Sequence, residues 1–122
     1  MSKWKMKNSR ISDRVVEYVL TRNLEELAVL SVENIAHNLD INRSHLSRTF
    51  KQEKNSTIEE FISKIKIVRS AALLRENDDL TIKNISKKMG FCRVDYFIRI
   101  FKLYFGTTPA RYRELIRANP GP

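Results

Sequence analysis

Apolar side chains recur at intervals of three and four residues along most of this chain, and segments that alternate apolar with polar positions are absent. This period indicates amphipathic α-helices that each bury one face. We predict an all-α fold of seven helices. Two of them, over residues 43–54 and 93–105, show the period without a strong cap. The others are expected to begin at side chains that accept hydrogen bonds from unpaired backbone N–H groups: Ser12, Ser31, Thr57, Thr81 and Thr108.

The longest predicted helix begins after Thr57 and ends near residue 76, which makes it about 30 Å long at 1.5 Å per residue. We expect it to be a linker between two subdomains. Its predicted buried face consists of Ile58, Phe61, Ile62, Ile65, Val68 and Ala72. The predicted organisation is a first subdomain at 11–56, a linker helix at 57–76 and a second subdomain at 77–117, with a basic tail or linker at 1–10 and a C-terminal tail at 118–122.

An internal repeat relates the two predicted subdomains. LSRTFK at 46–51 resembles FIRIFK at 97–102, and each follows a short helix that contains Asn-Ile, at 34–35 and 84–85. The offset is 50 residues in the short helix and 51 in the longer one. One extra residue therefore belongs to the second turn, where Gly90 can adopt a left-handed conformation without steric cost. Each copy has the order of a helix-turn-helix, with a short helix, a tight turn and a longer basic helix, within a homeodomain-like three-helix unit.

The net charge of the chain limits the kinds of partner that it is expected to bind. The chain has 23 Lys/Arg against 14 Asp/Glu, a formal net charge of +9, which favours nucleic acid, anionic lipid or an acidic protein as a partner. Residues 81–113 contain eight Lys/Arg and one acid, Asp95. Residues 1–10 are also basic, and either a DNA-contacting arm or a linker would have this composition. Since the sequence contains neither a membrane-spanning apolar run nor a signal peptide, we expect no membrane partner and a cytoplasmic location.

Enzymatic and metal chemistry find little support in the sequence. One cysteine, Cys92, and two histidines are too few for a Cys/His zinc site. No glycine-rich phosphate loop, H-E-x-x-H pair or carboxylate pair beside a histidine is present. We therefore expect no enzyme activity, no metal and no cofactor. An RNA-binding or protein-interaction module remains an alternative, because charge alone does not select DNA.

A helix that enters the major groove buries one stripe against its own domain and presents the other to the bases and phosphates. In the first copy, burial of Leu46 and Phe50 leaves five donors facing outward: Arg43, Ser44, Ser47, Arg48 and Lys51. In the second copy, burial of Phe97 and Phe101, with Tyr104 beneath them, leaves a corresponding outward set: Arg93, Val94, Asp95, Ile98, Arg99 and Lys102.

These outward positions predict a DNA-binding site. Arg48 and Arg99 occupy matching positions and are expected to reach base edges, whereas Lys51 and Lys102 are expected to meet phosphates. Tyr96 suits packing and a phosphate hydrogen bond equally well. Further phosphate contacts are predicted at helix N-termini, at Ser31, Thr81 and Thr108. Because the linker length is close to the roughly 34 Å between successive major grooves, we predict that one chain reads two adjacent grooves.

One family combines these motifs. Gly90-Phe91, Tyr96-Phe97, Arg99, Phe101-Lys102, Gly106, Thr108-Pro109 and Tyr112-Arg113 resemble the C-terminal signature of the AraC/XylS family of bacterial transcription regulators. The resemblance extends more weakly over about residues 10–116. Asp40 and Asn55 stand where the family often has glycine, and we expect both to keep the left-handed geometry.

The resemblance implies a sequence-specific reader of double-stranded promoter DNA. Such proteins are usually promoter activators, so RNA polymerase is an expected partner. They often carry an N-terminal effector-binding or receiver domain. An isolated domain of this kind is expected to be monomeric, and any oligomerisation would then occur through such an additional domain.

Overall fold

The computed structural model describes residues 10–118. This part of the chain forms eight α-helices and no strand, which confirms the all-α class but gives one helix more than predicted. In chain order the helices are α1 (Ile11–Leu20), α2 (Leu24–Ala28), α3 (Val32–Leu39), α4 (Arg43–Lys54), α5 (Ile58–Glu76), α6 (Ile82–Lys88), α7 (Val94–Phe105) and α8 (Pro109–Ala118).

The additional helix, α2, begins at an asparagine cap. The Glu26 N–H donates to Asn23 Oδ1 at 2.8 Å, and the Asn23 N–H donates to Glu26 Oε1 at 3.0 Å, which closes a capping box. Asn42 likewise caps α4, where it accepts the His45 N–H at 3.1 Å. Neither cap was predicted from the sequence, although asparagine is as strong an N-cap residue as serine.

Helix α1 begins differently from the prediction. Its N-cap position is Arg10, whose side chain makes no capping hydrogen bond, and Ser12 is buried inside the first turn. The prediction that Ser12 caps this helix was therefore wrong. Instead, the Ser12 N–H donates to Glu53 Oε1 at 3.2 Å, and Lys54 Nζ lies 3.0 Å from Asp13 Oδ1. Two side chains from the end of α4 thus complete the first turn of α1.

The chain divides into two compact units, with the boundary between Ser63 and Lys64 inside α5. In α5, Ile58 and Ile62 are buried as predicted, but Val68 is 48% exposed, and Ile67 and Leu74 are buried instead. The single continuous face predicted for this helix was therefore wrong. Each unit has its own core: Val15, Val19, Leu27, Ile35, Leu46, Phe50, Ile58 and Ile62 in the first, and Ile67, Leu74, Ile85, Met89, Phe97 and Phe101 in the second.

The two helix-turn-helix turns share one backbone geometry. The Ile41 N–H donates to the Ala36 carbonyl and the Phe91 N–H to the Ser86 carbonyl, both at 3.0 Å. The residue before each donor is left-handed, with φ 57° at Asp40 and 84° at Gly90. Since Asp40 adopts the same conformation, the extra residue of the second copy is Cys92, which lies between the turn and the N-cap of α7.

Equivalent residues also end α4 and α7, which are both 12 residues long. Asn55 follows α4 with φ 61°, and Gly106 follows α7 with φ 77°. Their N–H groups donate to the Lys51 and Lys102 carbonyls at 2.9 and 2.8 Å. The expectation that Asp40 and Asn55 replace glycine without loss of the left-handed turn is confirmed.

Candidate nucleic-acid interface

The inner face of α4 is fixed by packing inside the first unit. Leu46 is fully buried and Phe50 is 1% exposed. The ring of Phe50 lies 5.8 Å from the ring of Phe61, in the first turn of the following helix. That helix begins with a capping box, in which the Glu60 N–H donates to Thr57 Oγ1 at 3.0 Å. The buried stripe predicted for α4 is confirmed, and its orientation leaves the opposite stripe in solvent.

The inner face of α7 repeats this arrangement in the second unit. Phe97 and Phe101 are fully buried. The ring of Phe101 lies 5.5 Å from the ring of Tyr112 in α8. This contact corresponds to the Phe50–Phe61 contact of the first unit, since both residue numbers differ by 51. Tyr104 is 42% exposed, so the prediction that it lies beneath the two phenylalanines was wrong. The rings that contact Phe101 are those of Phe97, Phe105 and Tyr112, at 6.0, 4.6 and 5.5 Å.

The outer face of α4 presents the predicted donors. Arg43, Ser44, Arg48 and Lys51 are exposed, and Ser47 is half-buried. Arg43 Nε lies 3.4 Å from Glu33 Oε2 of α3, in an ion pair whose two side chains are more than half exposed. Such a pair contributes little to stability.

The outer face of α7 is also open, although Ile98 is half-buried. Tyr96 has two neighbours: its ring lies 6.1 Å from Phe91, and the Arg99 guanidinium lies 5.2 Å from its centroid. Tyr96 therefore both packs against Phe91 and supports the side chain of Arg99. The exposed positions of this face are Arg93, Val94, Asp95, Tyr96, Arg99 and Lys102.

At the N-terminal end of α7, Arg93 and Asp95 form the most closely fitted ion pair of the interface. Arg93 Nε and an Nη donate to the two oxygens of Asp95 at 3.0 and 2.8 Å. These hydrogen bonds lower the pKa of Asp95 below its ordinary value and raise that of Arg93. Both groups are therefore charged at neutral pH.

The three predicted phosphate contacts at helix N-termini all lie at N-cap positions. Ser31 Oγ accepts the Asn34 N–H at 3.1 Å, Thr81 Oγ1 accepts the Asn84 N–H at 3.0 Å, and Thr108 Oγ1 accepts the Arg111 N–H at 3.2 Å. Ser31 Oγ also donates to Asn34 Oδ1 at 2.9 Å. The Thr81 and Thr108 hydroxyls are acceptors in these bonds, so their O–H groups can donate to a phosphate as well as the remaining first-turn N–H groups. Phosphate contact at these positions stays a prediction.

Charge is distributed very unequally between the two units. Residues 10–63 contain seven Lys/Arg and nine Asp/Glu, a formal net charge of −2, whereas residues 64–118 contain thirteen and five, a formal net charge of +8. Part of this excess is a set of exposed cations on α6, none of which belongs to the predicted site: Lys83, Lys87 and Lys88. The corresponding helix of the first unit, α3, carries Glu33 and His37 instead. The second unit therefore has the stronger attraction for a polyanion.

No cluster of three or more His, Cys, Asp or Glu side chains in the part of the chain that the structure describes is suited to hold a metal ion. No helix of residues 10–118 is long and apolar enough to cross a bilayer.

Comparison with known proteins agrees with this geometry. A helix-turn-helix domain family matches residues 35–115. The probable transcription factor PqrA of Proteus vulgaris is 35% identical over 95 residues, which cover 78% of this chain and 77% of that protein. The Msm operon regulatory protein of Streptococcus mutans is 39% identical over 90 residues, or 74% of this chain, but this region spans only 32% of the regulator.

Solved structures give the same fold. A transcriptional regulator from Chromobacterium violaceum, described as containing an AraC-type DNA-binding domain, superposes with a TM-score of 0.75 at 25% identity, and the match covers 91% of this chain and 95% of that one. The DNA-binding domain of AdpA, solved in complex with a target DNA, superposes with a TM-score of 0.71 at 24% identity over 90% of this chain and 96% of that one. At this identity the second match establishes the fold alone.

Proposed function

Because this chain belongs to the AraC-type helix-turn-helix family of transcription regulators, we propose that it activates transcription by reading a specific promoter sequence with α4 and α7. DNA binding and transcription regulation are the properties of the family. The proposal adds that each of these helices enters a major groove and that the two grooves are adjacent. It also adds that regulation is by activation.

The observation that carries this proposal is the equivalence of α4 and α7. Both are 12 residues long and end at a left-handed residue. Both bury aromatic or aliphatic side chains on one stripe and expose an arginine and a lysine at matching positions on the other. An α-helix fits the major groove, where guanidinium groups pair with guanine O6 and N7.

The outward side chains divide into base readers and phosphate anchors by position. Arg48 and Arg99 lie midway along their helices and are assigned to guanine. Lys51 and Lys102, one turn further on, are assigned to phosphates. The remaining contacts of the proposed interface are Arg43, Ser44, Ser47, Arg93, Val94, Asp95 and Tyr96, with phosphates at the N-termini that begin at Ser31, Thr81 and Thr108.

The proposal also covers the second partner, the oligomeric state and the location of the protein. Activation requires a contact with RNA polymerase, which is the second expected partner. The region described here is expected to be monomeric, with oligomerisation, where it occurs, supplied by an additional N-terminal domain. As a bacterial promoter reader it would act in the cytoplasm, where the promoter DNA is.

Binding-site selection from random duplexes, followed by competition titration, tests the proposal. Arg99→Ala should lose about 1–3 kcal/mol on the selected duplex and relax the preference at one base step, and Arg48→Ala should do the same at a different step. Lys102→Ala should weaken binding to all duplexes alike.

The alternative outcomes are distinct. If Arg99→Ala weakened every sequence equally, Arg99 would be a phosphate or structural residue, and the base-reading assignment would be wrong. Tighter binding to single-stranded RNA than to any duplex would instead favour an RNA-binding module and overturn the proposal. Reporter transcription from the selected promoter distinguishes activation from repression.

A further inference from the structure

Arg93 and Asp95 stand two residues apart at the N-terminal end of α7, the end of a recognition helix that approaches base edges most closely in helix-turn-helix proteins. Arg93 is the N-cap residue and has extended backbone angles, φ −130° and ψ 131°, while Asp95 lies in the first turn. This extended backbone allows the two side chains to meet, and their carboxylate and guanidinium are bonded through two oxygens and two nitrogens. Both side chains are exposed, to 75% and 67%.

The pairing leaves a defined set of donors on Arg93. A guanidinium carries five N–H groups, and Asp95 takes one on Nε and one on an Nη. The outer edge of the group, with one N–H on each Nη, remains open. Two parallel N–H groups at this edge match guanine O6 and N7. Asp95 thus occupies one edge of the guanidinium and leaves free the edge that can read guanine.

The ion pair itself adds little to stability, although a carboxylate in the first turn of α7 also interacts favourably with the helix dipole and with the Asp95 and Tyr96 N–H groups. An exposed ion pair contributes little to folding, and a carboxylate on the DNA-facing end of α7 opposes the attraction of phosphates to a unit of formal charge +8. The first unit has no counterpart, because Asn42 and Ser44 occupy the equivalent positions and the Asn42 side chain is a helix cap. Asp95 therefore lowers the non-specific attraction of the second unit for DNA phosphates, and it also orients the side chain of Arg93.

We propose that Asp95 is a specificity-determining positioning residue: it holds Arg93 with its outer edge toward the major groove, so that Arg93 reads one guanine of the target. This inference rests on the proposed function, since it presupposes that α7 enters a major groove. Without Asp95, Arg93 is free to turn toward a phosphate, and a contact that discriminates between bases becomes one that does not. Loss of the carboxylate should accordingly strengthen binding to unrelated DNA while it weakens discrimination.

The experiment compares Asp95→Asn with Asp78→Asn in the full chain. Asp78 pairs with Arg117 at 3.3 Å, is similarly exposed and belongs to the same unit, but lies outside α7. Each variant removes one negative charge. Affinities are measured for the duplex selected by the wild-type chain, for its single-base variants and for an unrelated duplex, with urea unfolding midpoints as a check on folding.

Asp95→Asn should reduce discrimination at one base step by about 5- to 150-fold, the equivalent of one bidentate base contact, and should raise affinity for the unrelated duplex. Asp78→Asn should leave discrimination unchanged. In an Arg93→Ala background, Asp95→Asn should cause no further loss at that step, since the carboxylate acts through the arginine.

Equal effects of Asp95→Asn and Asp78→Asn would overturn the inference, as would a loss of discrimination by Asp95→Asn that persists in the Arg93→Ala background. A different result would contradict the proposed function: the wild-type chain itself would select no duplex, whatever the variants do.

Discussion

The ring of Phe101 should be the most sensitive packing position of the second unit. It is fully buried and lies 6.0 Å from Phe97, 4.6 Å from Phe105 and 5.5 Å from Tyr112. Replacement of a buried phenylalanine by alanine costs about 3–5 kcal/mol. Each aromatic pair contributes about 0.5–1.5 kcal/mol beyond the area it buries, and Phe101→Ala removes three such pairs at once. We therefore expect the loss to lie at the upper end of that range.

Two other substitutions, Phe50→Ala and Leu103→Ala, serve as references for the stability loss expected of Phe101→Ala. Phe50 is the equivalent residue in the first unit, and its described ring contact is with Phe61 at 5.8 Å. Phe50→Ala should cost nearer the lower end, about 3 kcal/mol. Leu103 lies on the same helix as Phe101 but is 73% exposed, so Leu103→Ala should change the free energy of unfolding by no more than about 0.5 kcal/mol.

Urea unfolding followed by far-UV circular dichroism measures the loss. Because the chain has two compact units, a single two-state transition is not assumed, and amide hydrogen exchange reports each unit separately. Phe101→Ala should lower protection in α6, α7 and α8. If Phe101→Ala and Leu103→Ala gave the same midpoint, the face of α7 described as buried would be exposed, and the proposed orientation toward DNA would be inverted.

Three further outcomes are expected. Gly106→Ala should destabilise by about 1–2 kcal/mol in urea unfolding, because alanine at φ 77° is strained although the added Cβ has no atom within 4 Å. The Thr57 N–H lowers the pKa of Glu60 below its ordinary value. The stability difference between wild type and Glu60→Gln should therefore be fully present above the ordinary pKa of a glutamate and be lost as pH falls through the lowered pKa, as unfolding at several pH values would show. With about 6–10 phosphate contacts, DNA affinity should fall about 10³–10⁵-fold between 50 and 200 mM salt, and Lys102→Ala should reduce the slope by about one. A flat salt response would contradict the last of these.

Local signals predicted most of the fold because they act within a few residues. The caps at Ser31, Thr57, Thr81 and Thr108 and the left-handed residues after the helices are properties of short segments, and the structure contains them. The predictions for Ser12, Val68 and Tyr104 failed because helical spacing alone does not determine which tertiary neighbours a side chain meets. Glu53, 41 residues away in sequence, completes the first turn of α1, and the rings that contact Phe101 are those of Phe97, Phe105 and Tyr112.

For the candidate site, helical periodicity predicted which side chains face outward but not how they interact. Arg93 and Asp95 are two residues apart, and such positions do not share a face of a helix. They meet because the backbone at Arg93 is extended rather than helical, which the apolar period cannot reveal. The lysines of α6 were not predicted as part of the site for a different reason: they lie on the short helix of the second copy, whereas the predicted base-reading arginines and phosphate-binding lysines lie on the longer helix.

Equivalent positions in the two copies show which residues packing requires and which are left for DNA recognition. Packing requires the same residue types in both copies, so Phe50 corresponds to Phe101, and both begin contacts with the next helix. The outward positions have diverged: Ser44 of α4 corresponds to Asp95 of α7. A palindromic DNA site reflects a protein with two identical readers. Because the outward faces of α4 and α7 differ in residue type and the two units differ in net charge, a duplex selected by this chain should contain two unlike halves, with the more salt-sensitive contacts on the half that meets α7.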